Sequence, residues 1–126
     1  VAIAAKLAGA SDAVAADIDP WARTAVRLNA RENGVEIEFT AENLIGKFID
    51  ADIVLAGDVF YDRDFANALS DWFSDLAAGG TRVLVGDPGR AYRPTDRLEP
   101  LATYEVPVTR VLEDSEVKRT TVWRFR

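Results

Sequence analysis

The sequence predicts an α/β fold with a doubly wound, mainly parallel sheet that ends in an antiparallel hairpin. Strand-like and helix-like segments alternate over most of the 126 residues, which is the pattern of parallel βαβ units. Two strand-like segments then follow each other near the C-terminus with a link short enough for a hairpin. The length is that of one domain.

The N-terminal part predicts two helices with a strand between them. Residues 1–10 are alanine-rich and reach a glycine stop signal at Gly9, as a helix end does. Residues 13–16 are a short apolar strand. Asp19 as N-cap and Pro20 as first helical residue then begin a helix that ends at Asn33-Gly34. Its predicted apolar face consists of Trp21, Ala25 and Leu28.

The middle of the chain predicts a strand, a second strand and an amphipathic helix. Residues 35–39 alternate apolar and acidic side chains, as a strand near a sheet edge does. Residues 51–56 form a continuous apolar run, which is typical of a central parallel strand. The helix that follows stops at Gly79-Gly80. Its apolar face is Phe65, Leu69, Trp72, Phe73 and Leu76, of which Trp72 and Phe73 are expected in the core.

The C-terminal part predicts a buried strand, a short helix and the hairpin. The buried strand covers residues 81–85 and the helix residues 95–101. The hairpin strands cover residues 103–112 and 116–125, linked by 113–115. Trp123 in the last strand is expected to pack on the sheet.

The composition excludes several kinds of chemistry. The chain has no cysteine and no histidine, so it lacks thiolate nucleophiles, disulfides, the usual zinc ligands and the commonest general base. No apolar run approaches the ~20 residues that span a bilayer, and the net charge is −6. We therefore expect a cytoplasmic protein that binds no nucleic acid, no membrane and no metal. The basic residues Lys118, Arg119, Arg124 and Arg126 are interpreted as solvated strand ends.

Acidic side chains follow the predicted strands where ligands bind in open α/β sheets, beyond the carboxyl ends. Asp17 closes the first strand, and its carboxylate could accept hydrogen bonds from both hydroxyls of a ribose. Because Asp19 alone explains the helix cap, Asp17 has no structural role in the prediction. Glu42 and Asn43 follow the next strand and are candidates for an adenine edge, although a polar loop explains them too.

A second acidic group follows the most apolar strand. Gly57 and Asp58 lie at its end and are followed by Phe60 and Tyr61. The carboxylate could accept a hydrogen bond from a substrate amine, and the aromatic pair could wall its pocket. The alternative is a turn acid with two core aromatics. Residues 87–90 are a further candidate wall, although turn chemistry explains Pro88 and Gly89 without function.

These strand-end motifs resemble a known enzyme family. The segments are residues 15–20 (AADIDP), 55–62 (LAGDVFYD), 83–90 (VLVGDPGR) and 118–124 (KRTTVWR). Together they resemble the class I, seven-β-strand methyltransferases that use S-adenosylmethionine. Within these, the chain looks most like bacterial relatives of the electron transfer flavoprotein β-subunit lysine methyltransferase, or ribosomal protein L11 methyltransferase-like proteins.

The resemblance implies a fold, a cofactor and an acceptor. It implies a Rossmann-like sheet of order 3-2-1-4-5-7-6 with an antiparallel last strand. It implies that S-adenosyl-L-methionine is held by Asp17, Ile18, Asp19, Glu42, Asn43 and Gly57. It implies that Asp58, Phe60 and Tyr61 line the pocket of a target lysine. The implied activity is lysine N-methylation of a protein, with the electron transfer flavoprotein β-subunit as a candidate substrate.

One family feature is not in this sequence. The family's first strand and its glycine-rich turn would precede Val1. We therefore expect a single domain, residues 1–126, that is an N-terminally truncated and incomplete enzyme. The strands ending at Asp17 and Gly57 would lack their shared neighbour, which leaves backbone groups to be solvated or paired elsewhere.

Three other functions are compatible with the sequence. A nicotinamide-dependent oxidoreductase is disfavoured by the antiparallel hairpin and would need a Gly-x-Gly-x-x-Gly fingerprint upstream. A non-catalytic binding or assembly module becomes the better interpretation if 126 residues is the natural length. A small-molecule methyltransferase is excluded by no residue.

Overall fold

The computed structural model describes residues 1–108 and 117–126 and divides into two compact units, Val1–Leu44 and Ile45–Arg126. The first unit contains helix α1 (Ala2–Leu7), strand β1 (Val14–Ala16), helix α2 (Ala22–Glu32) and strand β2 (Glu38–Thr40). The second contains β3 (Ile53–Gly57), α3 (Arg63–Ala78), β4 (Arg82–Asp87), a short 3₁₀ helix (Thr95–Arg97), β5 (Leu98–Pro107) and β6 (Val117–Phe125).

The first unit is built on two parallel strands. β1 and β2 pair in register from Val14 opposite Glu38 to Ala16 opposite Thr40. The N–H of Asp17 donates to the carbonyl of Thr40 at 3.2 Å, which extends the pairing by one bond. The carboxyl ends of the two strands therefore lie side by side, as the parallel arrangement requires.

Helix α2 begins at Ala22, two residues after the predicted Pro20. The Asp19 carboxylate still accepts a hydrogen bond from a backbone N–H of the first turn, that of Trp21, at 2.9 Å. The predicted apolar face is wrong: Trp21 and Leu28 are exposed, and the buried residue of α2 is Ala30. Ala22 and Val26 are half-buried and lie eight and four positions before Ala30, so these three residues form the inward face of α2.

The second unit contains a mixed four-stranded sheet of order β3-β4-β6-β5. β3 and β4 are parallel, whereas β6 is antiparallel to both of its neighbours, β4 and β5. The predicted order 3-2-1-4-5-7-6, with strand 1 left out, divides into 3-2 and 4-5-7-6. These are the two observed sheets, so the α/β fold and the strand order within each sheet are confirmed. Among the described residues β3 pairs only with β4, so it is a sheet edge and not a central strand.

The core of the second unit lies between α3 and one face of the sheet. Asp62 caps α3 by accepting the Phe65 N–H at 2.9 Å, and the helix ends at Gly79 with Gly80 at φ 99°. The Phe73 ring meets Phe125 of β6 edge-on, with ring centroids 5.3 Å apart. Of the predicted apolar face, Leu69, Trp72, Phe73 and Leu76 are buried, whereas Phe65 is only half-buried. Val83, Val85, Leu98 and Phe60 complete this core.

The C-terminal boundaries differ from the prediction. The predicted helix over 95–101 is limited to the 3₁₀ turn at 95–97, and residues 98–101 begin β5 instead. This strand carries an irregularity between Pro100 and Ala102, where its register to β6 shifts. The predicted hairpin link 113–115 and the strand residues 109–112 and 116 lie outside the described residues.

Helices long and apolar enough to cross a bilayer are absent from residues 1–108 and 117–126.

Candidate functional site

Asp58 occupies an unusual backbone position directly after β3. Its φ is 54°, and among the described residues other than glycine it alone has a positive φ. Aspartate tolerates this left-handed region better than most residues, and such positions concentrate at functional sites. The Asp58 N–H donates to the carbonyl of Gly86 at 2.8 Å, which continues the pairing of Gly57 with Gly86. The turn therefore lies at the carboxyl edge of two parallel strands.

Arg90 binds the carboxylate of Asp58 through two parallel hydrogen bonds. The Arg90 Nε lies 2.6 Å from Oδ1 and its Nη2 lies 2.7 Å from Oδ2. The hydrogen bond from Arg90 is the main cause that lowers the pKa of Asp58, and the positive charges of Arg90 and Lys118 act in the same direction against partial desolvation. The Asp58 side chain is 43% exposed, so the paired carboxylate remains accessible.

The turn after β4 carries Arg90 and is organised by Asp87. One oxygen of the Asp87 carboxylate accepts the N–H of Gly89 at 2.8 Å and the N–H of Arg90 at 3.2 Å. The same oxygen pairs with Arg93 Nη1 at 2.7 Å. The Asp87 side chain is fully buried because it continues the inward face of β4 set by Val83 and Val85. Arg93 also lies over the Trp123 ring, 4.7 Å from its centroid.

The two aromatic residues after Asp58 lie in different environments. Phe60 is 0% exposed and belongs to the core. Tyr61 is 63% exposed and stacks on Phe65, with ring centroids 5.8 Å apart. Of the two predicted pocket residues, the exposed ring of Tyr61 can contact a ligand, whereas Phe60 matches the alternative of a core aromatic.

Asp17 lies in the first unit, at the end of β1. Its Oδ1 accepts the N–H of Asp19 at 2.9 Å, so the side chain stabilises the turn that leads to α2. The expectation that Asp19 alone explains this turn is therefore wrong, because the chain reverses within two residues and each carboxylate accepts the N–H two positions ahead. No described residue donates to Asp17 Oδ2. The neighbouring Ile18 side chain is 70% exposed.

The end of β2 adds two polar residues to the same unit. The N–H of Glu42 donates to the hydroxyl of Thr40 at 3.2 Å, which forms a tight turn after the strand. Glu42 and Asn43 are both exposed. Glu42 and Asn43 follow Thr40, whose carbonyl accepts the Asp17 N–H. The polar residues predicted to bind the cofactor in this unit therefore follow two adjacent strand ends.

Arg90 is the functional candidate that sequence reasoning underused. The sequence predicts Arg90 only as part of a turn that could form a wall, and its pairing with Asp58 spans 32 positions. A signal was present in the topology: Asp58 and Arg90 follow two predicted parallel strands, and such strands end at a common sheet edge. The described residues contain no cluster of three acidic side chains that could hold a metal ion.

Known proteins place this chain in a family. The sequence profile of the ribosomal protein L11 methyltransferase (PrmA) family matches residues 1–82.

Two curated relatives match almost the whole chain. The electron transfer flavoprotein beta subunit lysine methyltransferase of Xenopus laevis is 43% identical over 131 residues, covering 98% of this chain and 53% of the relative. The human protein of the same name is 36% identical over 132 residues, covering 99% of this chain and 50% of the relative. The chain thus spans about half the length of the curated relatives it matches.

A solved structure supports the fold. Magnesium protoporphyrin IX methyltransferase from Synechocystis PCC 6803, crystallised with bound SAH, aligns with a TM-score of 0.63 at 16% identity. The alignment covers 99% of this chain and 68% of that one. At this identity the likeness concerns the fold alone, whereas the profile match covers more than half of the sequence. The chain belongs to the ribosomal protein L11 methyltransferase (PrmA) family.

Proposed function

We propose that the full-length protein is an S-adenosylmethionine-dependent N-methyltransferase that acts on the lysine of a protein. The observation that carries this proposal is Asp58, an accessible carboxylate in a left-handed backbone conformation, followed by the exposed ring of Tyr61. Family membership and the names of the relatives support the same chemistry.

The proposed cofactor contacts in the first unit begin with Asp17. Its Oδ1 is held by the turn while Oδ2 receives no hydrogen bond from the described residues, so one oxygen is oriented and available to a ribose hydroxyl. Asp19 fixes the same turn, and the exposed Ile18 offers an apolar surface for an adenine ring. Glu42 and Asn43, after the adjacent strand end, offer polar atoms for the edge of that ring.

In the second unit we assign Gly57 to the cofactor and Asp58 with Tyr61 to the acceptor. Gly57 ends β3, is exposed and has no side chain to obstruct a ligand that approaches its backbone. The cofactor, when bound, supplies a methyl group activated by a positively charged sulfur. Phe60 supports this turn from the core instead of touching the substrate.

The protein's part in the reaction is placement of the amine. Asp58 accepts a hydrogen bond from the acceptor nitrogen and thereby directs its lone pair, and the ring of Tyr61 packs against the aliphatic part of a lysine side chain. Methyl transfer would use the lone pair of the neutral amine, and the proton released by the methylated nitrogen would pass to solvent. Since the lowered pKa of Asp58 makes it a weak base, we assign it orientation and not proton abstraction.

The proposed protein substrate is the electron transfer flavoprotein β-subunit. The names of the vertebrate relatives support this choice, since their matches cover nearly the whole of this chain. A small-molecule amine is the second acceptor to test, because the accessible Asp58 would orient any amine.

The test is methyl transfer by the full-length protein with Asp58→Asn. We expect labelled methyl groups from S-adenosylmethionine to enter the β-subunit at lysine with the wild-type protein. Asp58→Asn, which keeps the side chain's shape and its tolerance of positive φ, should lower kcat at least about tenfold while leaving S-adenosylhomocysteine affinity unchanged.

A matched control is Asp71→Asn, since Asp71 is another exposed carboxylate paired with an arginine, Arg97, at 2.6 Å. Asp71→Asn should transfer at the wild-type rate. Full turnover by Asp58→Asn would remove Asp58 from the acceptor site.

A further inference from the structure

We propose that Arg90 is a positioning residue that fixes the Asp58 carboxylate and cancels its charge, so that the acceptor amine binds in its deprotonated form. This inference rests on the proposed function and adds to it a means of selecting the reactive amine. It assigns to the turn after β4 a role in the reaction that its turn chemistry alone does not explain.

The geometry of the pair fixes the carboxylate in one orientation. Arg90 contacts both oxygens, at 2.6 and 2.7 Å, so rotation of the carboxylate would break both bonds. A carboxylate offers about four lone-pair sites, and a side-on arginine uses one on each oxygen. With 43% of the Asp58 side chain exposed, the remaining sites can accept a hydrogen bond from an amine.

Arg90 is itself positioned by a buried anchor. Its backbone N–H donates to Asp87 at 3.2 Å, and Asp87 is fully buried and also held by Arg93 at 2.7 Å. The backbone of Arg90 is therefore hydrogen-bonded to a buried side chain at the end of β4. This rigid support distinguishes the pair from ordinary surface ion pairs, whose long side chains are restrained only by each other.

Two positive charges act on the Asp58 carboxylate. Arg90 contacts the carboxylate, and Lys118 of β6 acts on it electrostatically. Of the other charged residues in the two turns and at the start of α3, Asp62 caps the helix, Arg63 lies over the Tyr92 ring, and Asp87 pairs with Arg93.

The chemical consequence concerns the acceptor. Only the neutral amine has a lone pair that can form the new bond to carbon. A carboxylate beside the amine, without a cation to balance it, would stabilise the protonated amine. An opposite charge within ~4–6 Å raises the pKa of such an amine by about one to three. With Arg90 in place, Asp58 keeps its ability to accept a hydrogen bond but no longer offers a net negative charge.

The experiment measures kcat and KM against pH for the full-length wild-type protein, Arg90→Gln and Arg90→Lys. Arg124→Gln is the control, because Arg124 forms a similarly exposed pair with Glu99 at 2.5 Å. In Arg90→Gln we expect the acid limb of the kcat profile to move up by about one pH unit, so that kcat falls about tenfold near neutral pH and recovers at higher pH. KM should not rise, because the ammonium form then binds better. Arg90→Lys, which keeps the charge, should keep the wild-type midpoint, and so should Arg124→Gln.

A second readout follows the Asp58 carboxyl carbon by NMR titration without turnover. The pKa of the Asp58 carboxyl group should rise toward the ordinary 3.8 in Arg90→Gln and stay low in Arg124→Gln.

If the wild-type protein methylates the substrate and the kcat–pH profile of Arg90→Gln has the wild-type midpoint, this inference alone is overturned. A loss of kcat by the same factor at every pH would also overturn it, since it would indicate a purely structural role. A wild-type protein that methylates no amine at any pH would overturn the proposed function and this inference together.

Discussion

Asp87 and Arg93 form an ion pair whose carboxylate is completely buried, with Arg93 Nη1 2.7 Å from Asp87 Oδ2. The Asp87 side chain also accepts the N–H groups of Gly89 and Arg90. A buried carboxylate is stable only when its charge is balanced and its lone pairs are bound. The pair therefore stabilises the turn that delivers Arg90 to Asp58.

We expect Arg93→Met to destabilise the protein by about 3 kcal/mol, because the substitution leaves the charge of Asp87 buried without its partner. Urea unfolding of the full-length protein measures the change. Arg124→Met, which breaks the exposed pair with Glu99, should cost at most about 1 kcal/mol. Equal costs for the two variants would mean that Asp87 is accessible to solvent.

Phe73 should contribute mainly to stability and Tyr61 mainly to substrate binding. Phe73 is buried against Phe125, so Phe73→Ala should lower the free energy of unfolding by about 3–5 kcal/mol. Tyr61 is exposed, so Tyr61→Ala should cost less than about 1 kcal/mol and act mainly on KM for the acceptor protein. Unfolding curves and steady-state kinetics of both variants test this division. A large loss of stability in Tyr61→Ala would assign Tyr61 to the core.

The pair of Asp58 and Arg90 should contribute a stability that depends on pH. The folded-state pKa of Asp58 lies below the ordinary 3.8, so the unfolded chain binds more protons in the window between the two values. The contribution is thus complete above the ordinary value and disappears as the pH falls through the lowered one.

The difference in unfolding free energy between wild type and Arg90→Gln measures this contribution. It should be about 0.5–1 kcal/mol at pH 7, as for an exposed pair of good geometry, and should vanish in strong acid. A difference that persists in strong acid would assign it to packing by Arg90 instead of charge.

The core of the second unit could be predicted because its signals are local, whereas the strand order came from the family resemblance. The amphipathic spacing of Leu69, Trp72, Phe73 and Leu76 and the apolar run of β4 each occupy one element, and all of those α3 positions are buried. The start of β5 could not be predicted in this way. Pro100 reads as a break, yet a proline is tolerated on an edge strand near a register shift, and β5 is the edge next to β6.

The candidate site could be predicted only in part for a similar reason. The position of Asp58 at a strand end follows from the sequence, but its partner Arg90 is 32 positions away and depends on how the two turns fold. The burial of Asp87 depends on β4 continuing through that residue, which a Gly-Asp-Pro-Gly segment does not suggest. The sequence does not predict the turn role of Asp17, because a single cap at Asp19 already explains the start of the helix.

The most direct test of the central proposal is calorimetric titration of the full-length protein with S-adenosylhomocysteine, for wild type and Asp17→Asn. The asparagine keeps an oxygen that accepts the Asp19 N–H, so the turn survives while the charge is lost. We predict binding of one ligand per chain by wild type and an affinity about tenfold or more lower in Asp17→Asn, as for one charge-assisted hydrogen bond of roughly 1.5–3 kcal/mol. A folded wild-type protein that binds no S-adenosylhomocysteine would contradict the proposed function.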